Sequence, residues 1–137
     1  MSNLSWAETV RRVHSRANFQ CEYCQTGQRV TGQAMHVEHI NPAGDNDLDN
    51  LCLACPSCNQ SKAQATSAPD PETNEVVPLF NPRTQIWATH FEWTQNGTVI
   101  RGITPIGRAT IVRLKMNSLR IVTARKVWVR AGEHPPD

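Results

Sequence analysis

Two Cys-x-x-Cys pairs constrain the fold of this chain more than any other feature. CEYC stands at residues 21–24 and CPSC at residues 55–58. At this spacing two thiolates from one tight turn reach a tetrahedral Zn²⁺, and two pairs make a closed four-thiolate site with no open position for a substrate. The alternatives are a redox dithiol or buried cysteines without a metal. We expect a structural zinc ion, with Cys21, Cys24, Cys55 and Cys58 as its ligands.

A fifth cysteine leaves a second ligand assignment open, because Cys52 and Cys55 also have the Cys-x-x-Cys spacing. Leu51, Cys52 and Leu53 form an apolar run, in which a buried free cysteine fits. We therefore prefer Cys58 as the partner of Cys55. The odd number of cysteines argues against a disulfide framework.

The composition indicates a small soluble protein that needs more than an apolar core. The 137 residues suffice for one domain, or for a small metal-stabilised module with an appended half. Apolar residues make up only 39%, which suits a fold held partly by a metal. The N-terminus has no signal-peptide pattern, and no stretch of about 18 apolar residues occurs. We therefore expect a cytoplasmic protein that does not contact a membrane.

Positive charge is concentrated in the second half of the chain. Residues 93–132 contain eight basic side chains and no acid, whereas residues 1–92 contain six basic residues and ten acids. The eight are Arg101, Arg108, Arg113, Lys115, Arg120, Arg125, Lys126 and Arg130. An uncompensated basic segment favours a polyanionic partner such as nucleic acid, and the alternative is a set of solvated helix faces.

Local patterns predict two helices and a loop in the first half. Ser5 and Glu8 have the capping-box spacing, and apolar residues then recur at helical intervals, so residues 6–16 are predicted to form an amphipathic helix. Residues 41–50 hold Pro, Gly, Asp and Asn, which are typical of a loop. A short helix is predicted from Pro56 onward, since proline is tolerated in a first helical turn.

Between these helices, residues 35–40 are predicted to form a half-buried strand. Apolar and polar residues alternate, which predicts that Val37 faces inward and that His36 and Glu38 face outward. Alternation places His39 on the face opposite Glu38, unless the strand ends there. The proline at position 42 favours such an ending, because proline cannot donate to a strand ladder.

The middle of the chain is predicted to be a boundary. Residues 66–75 are polar and contain prolines, which is typical of a linker. We therefore predict a zinc-stabilised module at residues 1–65, a linker at 66–75 and a basic C-terminal extension at 76–137 that packs on or beside the module.

The extension is predicted to contain a hairpin followed by helix. FEWT and TVIRG flank Gln95-Asn96-Gly97, and Asn-Gly suits a two-residue type I′ turn. Thr104 is a suitable N-cap for a helix whose apolar positions are Ile106, Ala109, Val112 and Met116. Residues 118–131 fit either a helix or a strand.

Aromatic residues of the extension have two possible roles, in a core or as stacking platforms for bases. They are Phe80, Trp87, Phe91 and Trp93. A domain this small needs its aromatic side chains inside, so we expect them to form the core of the second half.

The order of motifs resembles the HNH endonucleases. Cys-x-x-Cys, HVEHI-x-P, Asp-x-x-Asn-Leu and Ala-Cys-x-x-Cys-Asn-x-x-Lys follow one another from about Asn18 to Ala63. This order is similar to the subset whose ββα-metal motif is bracketed by a zinc site. DPETNEVVPLFNPRTQIWATHFEW and TPIGRAT also look like the C-terminal part of stand-alone bacterial HNH proteins, to about Asn117. The resemblance implies an α+β fold, a ββα-metal motif bracketed by zinc with a C-terminal hairpin-plus-helix extension.

The resemblance also implies a role for each matching residue. His39 matches the general base that takes a proton from the attacking water, a task that suits imidazole. Glu38 and Asn59 match the two ligands of one divalent cation. Asn50 matches the asparagine that braces the loop carrying the histidine. Lys62 matches a basic residue near the phosphate.

Two positions depart from the common family pattern. The family commonly has Asp where Glu38 stands and His where Asn59 stands. A carboxylate and an amide are hard oxygen donors, so these departures favour Mg²⁺ or Mn²⁺ as the catalytic cation. His36 matches no essential position, and we expect it to contact a phosphate or to support the site.

The resemblance implies a metal-dependent endonuclease that hydrolyses double-stranded DNA and leaves 5′-phosphate and 3′-hydroxyl ends. One active site per chain implies nicking, with double-strand cleavage requiring two chains or two events. Arg108, Arg113 and Lys115 are expected to contact the DNA backbone. The alternatives are a non-catalytic zinc module that binds nucleic acid and an RNA-directed nuclease.

Overall fold

This computed structural model describes residues 3–136. They contain short helices and three two-stranded antiparallel sheets, connected by loops. The helices are α1 (Trp6–Arg16), α2 (Gln28–Thr31), α3 (Pro56–Lys62), α4 (Trp87–His90), α5 (Pro105–Leu114) and α6 (Leu119–Arg130). The strands are β1 (His36–His39), β2 (Leu51–Ala54), β3 (Ser67–Pro69), β4 (Val76–Pro78), β5 (Phe91–Thr94) and β6 (Val99–Gly102). The α+β class predicted from the sequence is confirmed.

Helix α1 has the predicted bounds because its start is encoded locally. The Ser5 hydroxyl accepts a hydrogen bond from the Glu8 backbone N–H at 3.1 Å, which caps one of the free donors of the first turn. Val13 is fully buried on the inner side of the helix. The Glu8 carboxylate pairs with Arg11 and Arg12 instead of completing the capping box.

The β1–β2 hairpin pairs Glu38 with Cys52 and His39 with Leu51. All four residues of β2 are buried, and His36 is exposed as predicted. The prediction that Glu38 faces outward is wrong, because its side chain is buried. Helix α3 covers this face of the hairpin, and a lysine at its end supplies the compensating charge.

Residues 66–75, predicted to be a linker, contain β3, which pairs with β4. Asp70 follows β3 and is fully buried, and both of its carboxylate oxygens accept hydrogen bonds from Arg108 of α5 at 2.9 Å. A segment whose composition is typical of a linker thus forms a hairpin, and Arg108, which is distant in sequence, holds its turn. The division into separate domains stays a prediction.

The predicted β5–β6 hairpin is present, but its turn is longer than predicted. Thr94 pairs with Val99, so four residues connect the strands. Gln95, Asn96 and Gly97 all have positive φ, which asparagine and glycine tolerate better than most residues. The prediction of a two-residue type I′ turn is therefore wrong.

Helix α5 begins at the predicted N-cap, where the Thr104 hydroxyl accepts a hydrogen bond from the Gly107 N–H at 3.0 Å. Ala109 is buried as predicted, whereas Val112 is exposed. Gly107 lets the helix approach the preceding segment, because a Cβ there would collide with the His90 carbonyl oxygen. The segment that fitted either helix or strand forms α6.

The aromatic residues of the second half form its core, as predicted. Phe80 and Phe91 are buried with their ring centroids 5.2 Å apart, and Trp87 lies 5.1 Å from Phe91 and 5.8 Å from Trp93.

The indole N–H groups of Trp87 and Trp93 also form hydrogen bonds with the first half of the chain. Trp87 donates a hydrogen bond to the Tyr23 carbonyl at 2.7 Å, and Trp93 donates to the Gln25 side chain at 2.9 Å. The two halves are thus joined next to the first cysteine pair. No helix within residues 3–136 is long and apolar enough to cross a membrane.

Candidate active site and metal centre

Four buried cysteines converge from the two Cys-x-x-Cys turns. Their sulfur atoms all lie within 4.8 Å of one another, and the sulfurs of Cys24 and Cys55 are 3.7 Å apart. A tetrahedron with Zn–S bonds of about 2.3 Å has sulfurs about 3.8 Å apart. The cluster of Cys21, Cys24, Cys55 and Cys58 therefore suggests a zinc site.

Backbone donors shape each cysteine turn toward the cluster. The Cys24 N–H donates to the Cys21 sulfur at 3.4 Å, and the Cys58 N–H donates to the Cys55 sulfur at the same distance. The hydrogen bond with the Cys21 side chain is the main cause that lowers the pKa of Cys24. Burial raises the pKa of Cys21. A divalent cation bound by the four sulfurs would hold all of them as thiolates.

Cys52 lies outside this cluster, in agreement with the preferred ligand assignment. It is fully buried in β2, and its thiol donates to the Tyr23 hydroxyl at 3.5 Å. Burial raises the pKa of Cys52 to about 12, so the side chain is a neutral thiol at physiological pH. It acts as a small apolar residue of the core.

Asn50 ties together the loop that follows β1. Its side-chain amide donates to the carbonyls of Asn41 at 3.0 Å and Asp45 at 2.8 Å, and its carbonyl accepts from the Asn41 N–H at 3.0 Å. Gly44 leaves room for this side chain, because a Cβ there would lie 2.6 Å from the Asn50 amide nitrogen. One residue immediately before β2 thus fixes two points of the loop.

His39 ends β1 and is oriented by a residue of that loop. Its Nε2 lies 2.6 Å from the Asn46 Oδ1. When Nε2 donates to this amide oxygen, Nδ1 is left as the ring nitrogen that can accept a proton. Asn46 was not predicted as a site residue, because no spacing rule links it to His39.

Glu38 is buried against α3 and forms an ion pair with Lys62. The Lys62 ammonium donates to the Glu38 Oε1 at 3.2 Å and to the His39 carbonyl at 3.2 Å. Asn59 is half-buried and precedes Lys62 by three residues, so both side chains lie on the same side of α3. The end of β1 and this side of α3 therefore meet at one place.

The basic residues predicted to contact DNA differ in their availability. Arg108 pairs with two carboxylates, and Arg113 donates to a backbone carbonyl at the end of α3 at 3.3 Å. Lys115 and His36 are exposed. Whether these residues contact nucleic acid stays a prediction.

One member of the basic segment cannot contact DNA, which corrects the wider set named from the charge pattern. Arg125 is fully buried, and its guanidinium donates to the carbonyls of Thr98 at 3.1 Å and Met116 at 2.6 Å. It also lies 5.1 Å from the centroid of the Trp93 ring. A charge pattern in the sequence does not distinguish such a buried cation from an exposed one.

Comparison with known proteins identifies one region. Residues 21–64 match the family described as HNH endonuclease. Neither the curated proteins nor the solved structures contain a match to the chain. The matched region includes both cysteine pairs, the β1–β2 hairpin and α3.

Proposed function

We propose that the chain is a metal-dependent nuclease that hydrolyses DNA phosphodiester bonds, because residues 21–64 match the family described as HNH endonuclease. One observation carries this proposal: Lys62 of α3 donates hydrogen bonds to the Glu38 carboxylate and to the His39 carbonyl, so α3 packs against the end of β1. It supports the proposal because such a nuclease needs its general base beside its metal ligands.

His39 is the proposed general base. A hydrogen bond donated by Nε2 to Asn46 would leave Nδ1 to take a proton from the attacking water. The water oxygen forms a bond to phosphorus while the bond between phosphorus and the 3′-oxygen breaks, and the 3′-oxygen takes up a proton from solvent. The products are a 5′-phosphate and a 3′-hydroxyl, and a single site of this kind nicks one strand. Asn50 supports the geometry by bracing the loop.

Glu38 and Asn59 are the proposed ligands of one catalytic cation, Mg²⁺ or Mn²⁺. The donor set fits, because the Glu38 carboxylate and the Asn59 amide both offer hard oxygen atoms. A bound cation would stabilise negative charge on the phosphoryl and leaving oxygens. The four cysteines would hold a structural Zn²⁺ that ties the two ends of the motif together.

The proposed substrate is double-stranded DNA, held through its phosphates. The proposed contacts are His36, Arg108, Arg113 and Lys115. Lys62 is also proposed, but its side chain is 2% exposed and pairs with Glu38, so it would reach a phosphate only after its ammonium leaves that carboxylate. Exposed cations at Arg120, Lys126 and Arg130 extend the positive surface along α6.

Cleavage of a supercoiled plasmid tests the proposal. Wild type, H39A and the control H14A are compared with Mg²⁺, Mn²⁺ or EDTA, after each protein is shown to retain zinc. We expect metal-dependent nicking by wild type and H14A and a loss of at least about 100-fold in H39A, since general-base catalysis contributes about 10²–10⁴-fold. Equal cleavage by H39A and wild type would exclude His39 as the base. DNA binding without any cleavage would favour a non-catalytic module.

A further inference from the structure

We propose that Lys62 is a built-in competitor for the catalytic cation: its ammonium pairs with Glu38 and thereby weakens the binding of a divalent metal there. This inference rests on the proposed function, because it takes Glu38 as a metal ligand. It makes Lys62 a regulator of metal affinity at Glu38, which is separate from any contact with a phosphate.

Burial shows that this lysine is a partner of Glu38 rather than a surface cation. The side chains of Lys62 and Glu38 are 2% and 10% exposed. The ammonium donates two hydrogen bonds to β1, at 3.2 Å to the Glu38 carboxylate and at 3.2 Å to the His39 carbonyl. A charge this deeply buried is stable only when it is paired, so the carboxylate and the ammonium compensate each other.

The chain holds the lysine close to Glu38. Lys62 is the last residue of α3, and Ala63 follows with a positive φ of 50°. Arg113 of α5 donates to the Lys62 carbonyl at 3.3 Å, which fixes the backbone at this point. The fixed backbone therefore keeps the Lys62 ammonium within reach of any cation that binds Glu38.

Two positive charges that share one carboxylate repel each other. A divalent cation at Glu38 must either tolerate the ammonium or displace it. A cavity of about 370 Å³, lined by Lys62, Ile40 and Asn41 among others, borders the site and leaves room for the side chain to move. In both cases the lysine lowers metal affinity relative to a site without its charge.

Equilibrium binding of Mn²⁺ without DNA tests the inference. Full-length, zinc-loaded wild type is compared with K62M, K62R, E38Q and R29M, with free Mn²⁺ followed by electron paramagnetic resonance. R29M is the matched control, because it removes one positive charge from a side chain that is 83% exposed. We expect K62M to bind Mn²⁺ about tenfold more tightly than wild type. K62R and R29M should resemble wild type, and E38Q should bind poorly.

The outcomes separate the two proposals. If E38Q loses binding but K62M binds no more tightly than wild type, Lys62 is not a competitor and the metal site stands. If wild type and E38Q bind Mn²⁺ alike, Glu38 is not a ligand and the proposed metal site fails.

A second measurement covers the case in which K62M does not fold. The chain has three lysines, and the other two are exposed, so the Lys62 ammonium can be followed in wild type by ¹⁵N NMR. Titration with Mg²⁺ should shift the signal of the buried ammonium. A signal that stays unchanged at saturating Mg²⁺ would overturn the inference.

Discussion

At the scale of single residues, the hydrogen bond between Asn46 and His39 matters most for the proposed role of His39 as general base. A bond donated by Nε2 to the Asn46 oxygen leaves Nδ1 to accept the proton. We expect N46A to lower kcat about 10- to 100-fold with little change in KM, because a hydrogen bond to a group that becomes charged contributes about 1.5–3 kcal/mol. N46D should retain more activity, since it keeps an acceptor. The check is single-turnover nicking, and full activity in N46A would show that another group orients the ring.

Asp70 makes stability depend on pH. Hydrogen bonds from Arg108 lower the pKa of this buried carboxyl, with further contributions from the Glu72 backbone and Thr73. The unfolded chain then binds the proton more tightly, so the stabilisation is complete above about pH 4 and is lost as pH falls toward the lower folded-state pKa. D70N should be less stable than wild type at pH 7, and the difference should shrink below about pH 4.

Urea unfolding at several pH values checks this dependence. E72Q is the matched control, because Glu72 contacts the same arginine through a side chain that is 66% exposed. We expect E72Q to change stability little. A constant difference between D70N and wild type across the acid range would contradict the assignment.

The residues of the site differ in how far the sequence predicts them. The cysteine cluster follows from local spacing, whereas the roles of His39 and Glu38 come from the family resemblance and stay predictions. Asn46 and the burial of Lys62 were not predicted, because each depends on which segments meet in space. Arg125 is the clearest case, since its partners are carbonyls brought together by the fold.

At the scale of elements, α6 presents its charge to solvent on one face. The residues Leu119, Arg120, Thr123, Lys126, Val127 and Arg130 are exposed and recur at helical intervals. If its three exposed cations bind phosphates, replacing Arg120, Lys126 and Arg130 with Gln should weaken DNA binding. The slope of log K against log salt should fall by about 2.7, at about 0.9 per phosphate contact.

Fluorescence anisotropy of a labelled duplex in EDTA measures this slope without cleavage. R101Q is the control, because Arg101 already pairs with Glu92. An unchanged slope in the triple variant would show that α6 does not contact the phosphates.

Elements with local start signals were predicted well, and elements that depend on tertiary partners were not. Ser5 and Thr104 mark the starts of α1 and α5 through their own side chains. The β3–β4 hairpin has no such signal, because its turn is held by Arg108 from a distant helix. The residues around Trp128 fitted two kinds of element; they form α6, whose start is capped by the Ser118 hydroxyl, which accepts a hydrogen bond from the Ile121 N–H at 3.4 Å.

At the scale of the whole molecule, the cysteine cluster links the two halves of the chain. Tyr23 lies between two of the clustered cysteines, and its carbonyl accepts a hydrogen bond from Trp87 of the second half. Structural zinc sites contribute about 10–16 kcal/mol, which is comparable to the whole stability of a small domain, about 5–15 kcal/mol. Removal of zinc should therefore unfold both halves together.

We expect C21S to lose zinc, to unfold and to shift tryptophan emission to longer wavelength as Trp87 and Trp93 become exposed. C52A is the matched control, because Cys52 is equally buried but lies outside the cluster, so it should keep zinc and cost only about 1 kcal/mol. Zinc content, near-UV circular dichroism and emission spectra of both variants check the prediction. A C21S variant with native spectra would show that the apolar core alone holds the fold, and that the metal is dispensable for joining the two halves.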